Sequence, residues 1–162
     1  ASKKADLQHL TAKAGGLHFE RQDDNTVVVS ACVEYYDASD KLQMVVNKVY
    51  LVDGDGNVSI TNRVDPMESV TSLPKVGMQF RMPLDYASLQ CFGKLTSNYP
   101  DRDASGKIER YHTSALYVFD IQVVPQDNDN HTNTRWLILN NHQSGIGLYI
   151  KMPEPFNFSV YN

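Results

Sequence analysis

The repeating signal along the chain has a period of two. In Gly56 to Asp65 the residues Val58, Ile60 and Val64 fall on one face, while Asn57, Ser59, Thr61, Arg63 and Asp65 fall on the other. A half-buried β-strand requires that alternation. The same pattern sets Met78, Phe80 and Met82 against Gln79 and Arg81, and Leu148, Ile150 and Met152 against Tyr149 and Lys151. It recurs in Phe156, Phe158 and Val160 against Asn157, Ser159 and Tyr161. Runs rich in Val and Tyr at Thr26 to Tyr36 and Gln43 to Val52 suit a pleated surface. Two further strands are expected at Val123-Val124 and Thr134 to Asn140.

Turn chemistry separates the runs. Asp53-Gly54-Asp55-Gly56 reads as a hairpin, because Asp-Gly tolerates the positive φ of tight turns. Asp65-Pro66, Leu73-Pro74 and Met82-Pro83 break the middle of the chain, and the polar stretch Gln126 to Asn133 reads as a loop. Helical periodicity is scarce: Asp6 to Lys13 reads as a short helix or a strand, and Asp85 to Leu89 as a turn at most. Roughly ten strands joined by short turns predict an all-β fold, an antiparallel twisted β-sandwich, as a single domain over residues 1–162. The run from Phe156 ends in mid-strand pattern with no turn after it. That predicts a truncated sandwich whose bare C-terminal strand drives self-association, since open strand edges and apolar patches pair with other chains.

Composition adds limits. The 162 residues are 41% hydrophobic, enough for a core. A net charge of −4 gives no electrostatic reason to expect nucleic acid or an anionic membrane as partner. No apolar stretch approaches the roughly 20 residues that span a bilayer, and the polar Ala1-Ser2-Lys3-Lys4 lacks the apolar core of a signal peptide. A soluble chain is expected; its place in the cell, bacterial cytoplasm or periplasm, stays open. Cys32 and Cys91 are too few for a disulfide scaffold and read as buried free thiols within strands.

Chemistry-bearing motifs give way to plainer readings. Asp53 to Asn57 has oxygens at alternate positions, but a calcium loop needs Gly at its sixth position and Glu at its twelfth, where Val58 and Val64 stand. Asp127-Asn128-Asp129-Asn130-His131 reads as a turn rather than a cation site. The five histidines are scattered, and the five glutamates have no catalytic context; Glu20 and Glu34 read as solvent-facing strand positions. Tyr35, Tyr36, Tyr99, Tyr111, Tyr117, Trp136 and Tyr149 invite a sugar-stacking reading, but such residues also dominate sheet cores, and core packing is expected for Trp136.

Four segments together point to a family. Leu73-Pro74-Lys75-Val76-Gly77 is followed by Asn98-Tyr99-Pro100-Asp101-Arg102. Then come Pro125-Gln126-Asp127-Asn128 with Arg135-Trp136, and finally Phe156-Asn157-Phe158-Ser159. Their order and spacing resemble the small-chain, C-terminal domain of large β-galactosidases of glycoside hydrolase family 2. The resemblance covers about Gly16 to Asn162. The chain departs from the family pattern where Lys94-Leu95-Thr96-Ser97 replaces a Gly-Pro-x-Glu, so a glutamate is missing, and where Asp127 replaces a glutamate.

The resemblance implies a supersandwich of the galactose-mutarotase type, part of a parent that hydrolyses terminal β-D-galactosides by a retaining two-glutamate mechanism. Those glutamates lie in a separate barrel outside this chain, so the segment alone is expected to be inactive. It implies no catalytic, metal or cofactor site here, the Mg and Na of the parent family being held elsewhere. The expected partners are the remaining domains of the parent, with galactoside met only through the parent's active site, and neither nucleic acid nor membrane. Within the matched motifs, Asn98, Tyr99, Asp101, Arg102, Gln126, Asp127, Arg135 and Trp136 form the expected structural cluster, with Asp101–Arg102 as an ion pair and Arg135 paired to a carboxylate. The alternatives are a free-standing carbohydrate-binding sandwich, which needs an exposed aromatic platform, and, ranked last, a mutarotase-like epimerase using a His and a Glu.

Overall fold

A computed structural model of the chain describes residues 7, 9–95, 105–118 and 130–160. Eight strands form two four-stranded antiparallel sheets, the all-β content from which a β-sandwich is built, and no helix occurs among the described residues. The chain divides into two compact units, Ala1–Met78 and Gln79–Asn162, each holding one sheet.

The first unit is a meander, β1 (Thr11–Arg21), β2 (Thr26–Tyr36), β3 (Leu42–Asp53) and β4 (Val58–Pro66), paired in that order. Sequence pattern alone located β2, β3 and β4. Of the described residues in the stretch Asp6 to Lys13, read as helix or strand, only Thr11 to Lys13 are strand; they open β1, whose remainder was not foreseen and which has a bulge between Ala14 and Gly16. Gly15 lies against Cys32: a Cβ there would come within 3.0 Å of the Cys32 Sγ. The β3–β4 hairpin turns as expected. Asp53 Oδ1 accepts from the amides of Asp55 at 3.0 Å and Asn57 at 2.9 Å, and Gly56 adopts φ 87°. The one fully buried side chain of this sheet is polar. Gln43 Nε2 donates to Asp37 Oδ2 at 2.7 Å, and its Oε1 accepts from Ser69 Oγ at 2.8 Å, tying the β2–β3 turn to the segment after β4.

The second unit orders its strands β6 (Glu109–Ser114), β5 (Ser88–Gly93), β7 (His131–Asn140) and β8 (Gly147–Phe158). Leu89, Cys91 and Leu137 point to one face and, with Ala115, form a closed core. Cys32 and Cys91 are free, as expected; Cys91 is buried and Cys32 half-buried.

Several strand expectations are corrected. Met78, Phe80 and Met82 are not in a strand, and all residues between Met67 and Ala87 are irregular or turn. Pro74 and Pro83 flank the run, and each removes a ladder donor and fixes its own φ, so period-two hydrophobicity has no partner to pair with. The two C-terminal patterns are one strand, β8, despite Pro153 and Pro155. The register jumps from Trp136↔Lys151 to Thr134↔Phe156, leaving both prolines in the out-of-register stretch of an edge strand, where a missing N–H costs little. His131 to Asn133, read as loop, begin β7. Polar β6 was not foreseen; its pairing with β5 makes it a strand. The strand expected at Val123-Val124 falls outside the described residues. Phe156, Phe158 and Val160, expected to be bare, are half-buried against the second unit's own core.

Candidate functional site

Two members of the expected motif cluster fall among the described residues. Arg135 and Trp136 are on β7, whereas Asn98, Tyr99, Asp101, Arg102, Gln126 and Asp127 lie outside the described residues. Because side chains alternate, Trp136 points away from Leu137 and the core, to the opposite face of the second sheet. Trp136 is therefore not a core residue, contrary to expectation; it is half-buried.

On that face the register builds a band across four strands. Phe92 on β5 is the partner of both Arg110 on β6 and Trp136 on β7, and Trp136 is the partner of Lys151 on β8. The Phe92 and Trp136 rings are 6.4 Å apart at 31°, and Tyr149 lies diagonally 6.5 Å from Trp136. The guanidinium of Arg110 sits over the Trp136 ring at 5.9 Å, and that of Arg135 over Phe92 at 5.8 Å. The attraction of a cation for the negative ring face ties β7 to its neighbour β5 through Arg135, and β6 to β7, across β5, through Arg110. Arg135 also donates to the carbonyl of Asn133, and among the described residues it forms no ion pair with a carboxylate. Its contacts shown among the described residues are therefore the Phe92 ring and the Asn133 carbonyl.

The band can hold strands in register; as a sugar platform it is poor. Stacking needs open flat faces, yet Arg110 lies over Trp136 and Arg135 over Phe92, leaving Tyr149, 55% exposed, as the most open ring of the band; Tyr117, 83% exposed, lies outside it.

A second polar grouping went unseen in the sequence, where the histidines are far apart. Ser88 Oγ, buried, lies 3.3 Å from His112 Nε2, and the His112 ring is 6.4 Å from that of His142. The turn after β7 places His142: Asn141 Oδ1 accepts from the amides of Gln143 and Ser144, and Asn141 Nδ2 donates to Asp85. With Asp85 engaged by Asn141, no carboxylate among the described residues is shown to orient the Ser88–His112 contact, as a nucleophile–base pair requires. Among the described residues, no three His, Cys, Asp or Glu side chains come together as a metal site.

In the first sheet Glu20 faces Val28, and Glu34 faces Lys13 and Val45; in the second Glu109 faces Gly93. Glu34 is half-buried rather than solvent-facing, and accepts from the Tyr36 hydroxyl at 2.7 Å, which raises the Tyr36 pKa. At the β3–β4 turn, the side-chain bond from Asn57 holds the Asp53 carboxyl below the usual carboxylate range. Its oxygens are occupied by the turn, as the hairpin reading requires.

A family model described as "Beta galactosidase small chain" matches residues 2–162. The chain belongs to the β-galactosidase small-chain family. Among relatives of this small-chain segment, a β-galactosidase of Kluyveromyces lactis is 25% identical over 98% of the chain and 16% of its own length. One from Priestia megaterium is 31% identical over 63% of the chain and 10% of its own length. One from Streptococcus thermophilus is 25% identical over 85% and 13%. The small-chain segment thus spans well under a fifth of the curated relatives it matches.

Proposed function

We propose that the chain is a non-catalytic structural segment of a family 2 β-galactosidase. The parent hydrolyses terminal β-D-galactosides through two glutamates in its barrel, and the segment carries no catalytic group or cofactor of its own. The observation that supports this reading most is the family match along nearly the whole chain, to relatives that are several times longer. The band of Arg110, Phe92, Trp136 and Tyr149 agrees with a scaffold role, since its rings are spent on strand-to-strand contacts.

The purified chain is expected not to hydrolyse a chromogenic β-galactoside at any pH, and to give no heat when titrated with galactose or lactose. Turnover that co-purifies with the chain through successive columns overturns the non-catalytic reading. Binding heat that disappears in Tyr149→Ala favours the carbohydrate-binding alternative.

A further inference from the structure

The second sheet brings together two histidines that stand 30 residues apart in sequence. Leu89 and Cys91 on β5 point into the core, so Ser88 and Gln90 point to the opposite face. Direct cross-strand partners share a face, and Gln90 is the partner of His112 on β6, which puts His112 on that face too. From there it reaches diagonally to Ser88, whose buried Oγ lies 3.3 Å from His112 Nε2. Ser88 is also the partner of Asn140, the last residue of β7, and His142 follows in the turn.

That turn is held at its base. The buried Asn141 donates its backbone N–H to the Ile146 carbonyl at 2.9 Å and accepts at its own carbonyl from the Gly145 amide at 3.0 Å. Its side chain binds the amides of Gln143 and Ser144 and the Asp85 carboxylate. The His112 and His142 rings therefore meet across the end of β5, with centroids 6.4 Å apart and planes at 58°. Ser88, His112, Asn141 and His142 all belong to the second unit, so the arrangement is a property of that unit by itself.

We propose that His112 and His142 form a binding site for a divalent transition-metal ion, with Ser88 as the residue that orients His112. The donor set selects the class of ion: imidazole nitrogens suit zinc, nickel and copper, whereas magnesium and calcium take oxygen ligands. The spacing fits. Two imidazoles on one tetrahedral zinc, at the usual Zn–N distance of about 2.0–2.1 Å, have centroids roughly 5 to 5.5 Å apart. The observed 6.4 Å closes to that by side-chain rotations of about 1 Å. At 58° the rings are not stacked face to face, so a nitrogen edge of each can turn to a common point.

Ser88 supplies the support that such a ligand needs. A ligating histidine donates its other ring N–H to a neighbouring group, which fixes the tautomer and the ring orientation. With the proton on Nε2, His112 donates to Ser88 Oγ and presents Nδ1 to the metal. Among the described residues no third His, Cys, Asp or Glu joins the pair, so the remaining coordination positions fall to water. An ion held this way ties the outer strand β6 to the turn after β7. It is a structural ion, and its presence has no bearing on the enzymatic assignment.

Calorimetric titration of the untagged chain with zinc chloride tests the site, together with thermal unfolding over the same zinc concentrations. One ion per chain is expected, with an unfolding midpoint that rises with zinc because the ion binds the folded state. Magnesium chloride should produce neither effect. Ser88→Ala should weaken zinc binding ~10- to 100-fold, and His112→Ala and His142→Ala should each weaken it at least as much. His18→Ala, in the first sheet, should leave it unchanged. Neither His112 nor His142 belongs to the core, so without metal their variants should keep the wild-type dichroism spectrum and midpoint. They test the pair even where Ser88→Ala unfolds. No heat and no shift in midpoint at millimolar zinc overturns the proposal, as does zinc binding that survives in both histidine variants. Full affinity in a folded Ser88→Ala chain overturns the orienting role of Ser88.

Discussion

The two sheets have the same number of strands and the same antiparallel pairing, yet they differ in what covers them. In the second sheet, Leu89, Cys91 and Leu137 are sealed by Ala115 and by the half-buried Phe156, Phe158 and Val160, which belong to the same unit. In the first, every residue of β1 is exposed, and the fully buried side chain is Gln43, held by hydrogen bonds. Backbone ladders alone can therefore complete a sheet, while burial requires a separate layer that returns over it. The contrast explains why a chain with a single periodic pattern contains both a closed core and a sheet whose first strand is exposed throughout.

The sharpest break in that comparison is a matched pair of truncations. Leu89→Ala is expected to cost about 2–5 kcal/mol, because it leaves a cavity in a closed core. Phe19→Ala should cost under about 0.5 kcal/mol in dilute solution, where its ring is exposed. Urea unfolding of both variants at low protein concentration checks this, and equal losses would mean the first sheet has a core after all.

A smaller effect probes how the first sheet manages without a core. Gln43→Ala removes the link between Asp37 and Ser69 and strands their partners, at an expected cost of about 1–3 kcal/mol. Hydrogen exchange should quicken first at the Asp40 and Met67 amides, which close the two segments that Gln43 ties. Exchange quickening first in the second sheet would show that the two sheets do not unfold separately.

The smallest effect separates the thiols. Burial pushes Cys91 up to about 11. Its protonated thiol favours the fold up to about pH 9, and that contribution fades as pH rises through about 11. At pH 8, Cys32 should react with a disulfide reagent while Cys91 stays protected until unfolding. Simultaneous labelling of both would mean the second core opens as readily as the first sheet.

Legibility followed the source of each signal. Thr26 to Tyr36 and the Asp53 turn could be read directly, because β-branched runs and Asp-Gly turns act locally. Met78 to Met82 misled, since alternation describes a side chain's preference and says nothing of whether a neighbouring strand exists. Arg135 and Trp136 were picked out by the motif resemblance, but their surroundings were not: the Arg110 cation over Trp136 comes from a strand 26 residues away in sequence, placed by register alone. The Ser88–His112–His142 grouping left no sequence trace for the same reason.

The sequence by itself determined the all-β class, most strand positions in the first unit and the family, because alternation, turn residues and ordered motifs are properties of short stretches. Only the tertiary structure decided which sheet encloses a core of its own, that Trp136 faces away from that core, and that Phe156 and Phe158 fold back on their own unit. Those outcomes depend on register across strands and on which later segment returns over a sheet. A shift of one residue would send the same side chains to the other face, and no local pattern records that choice.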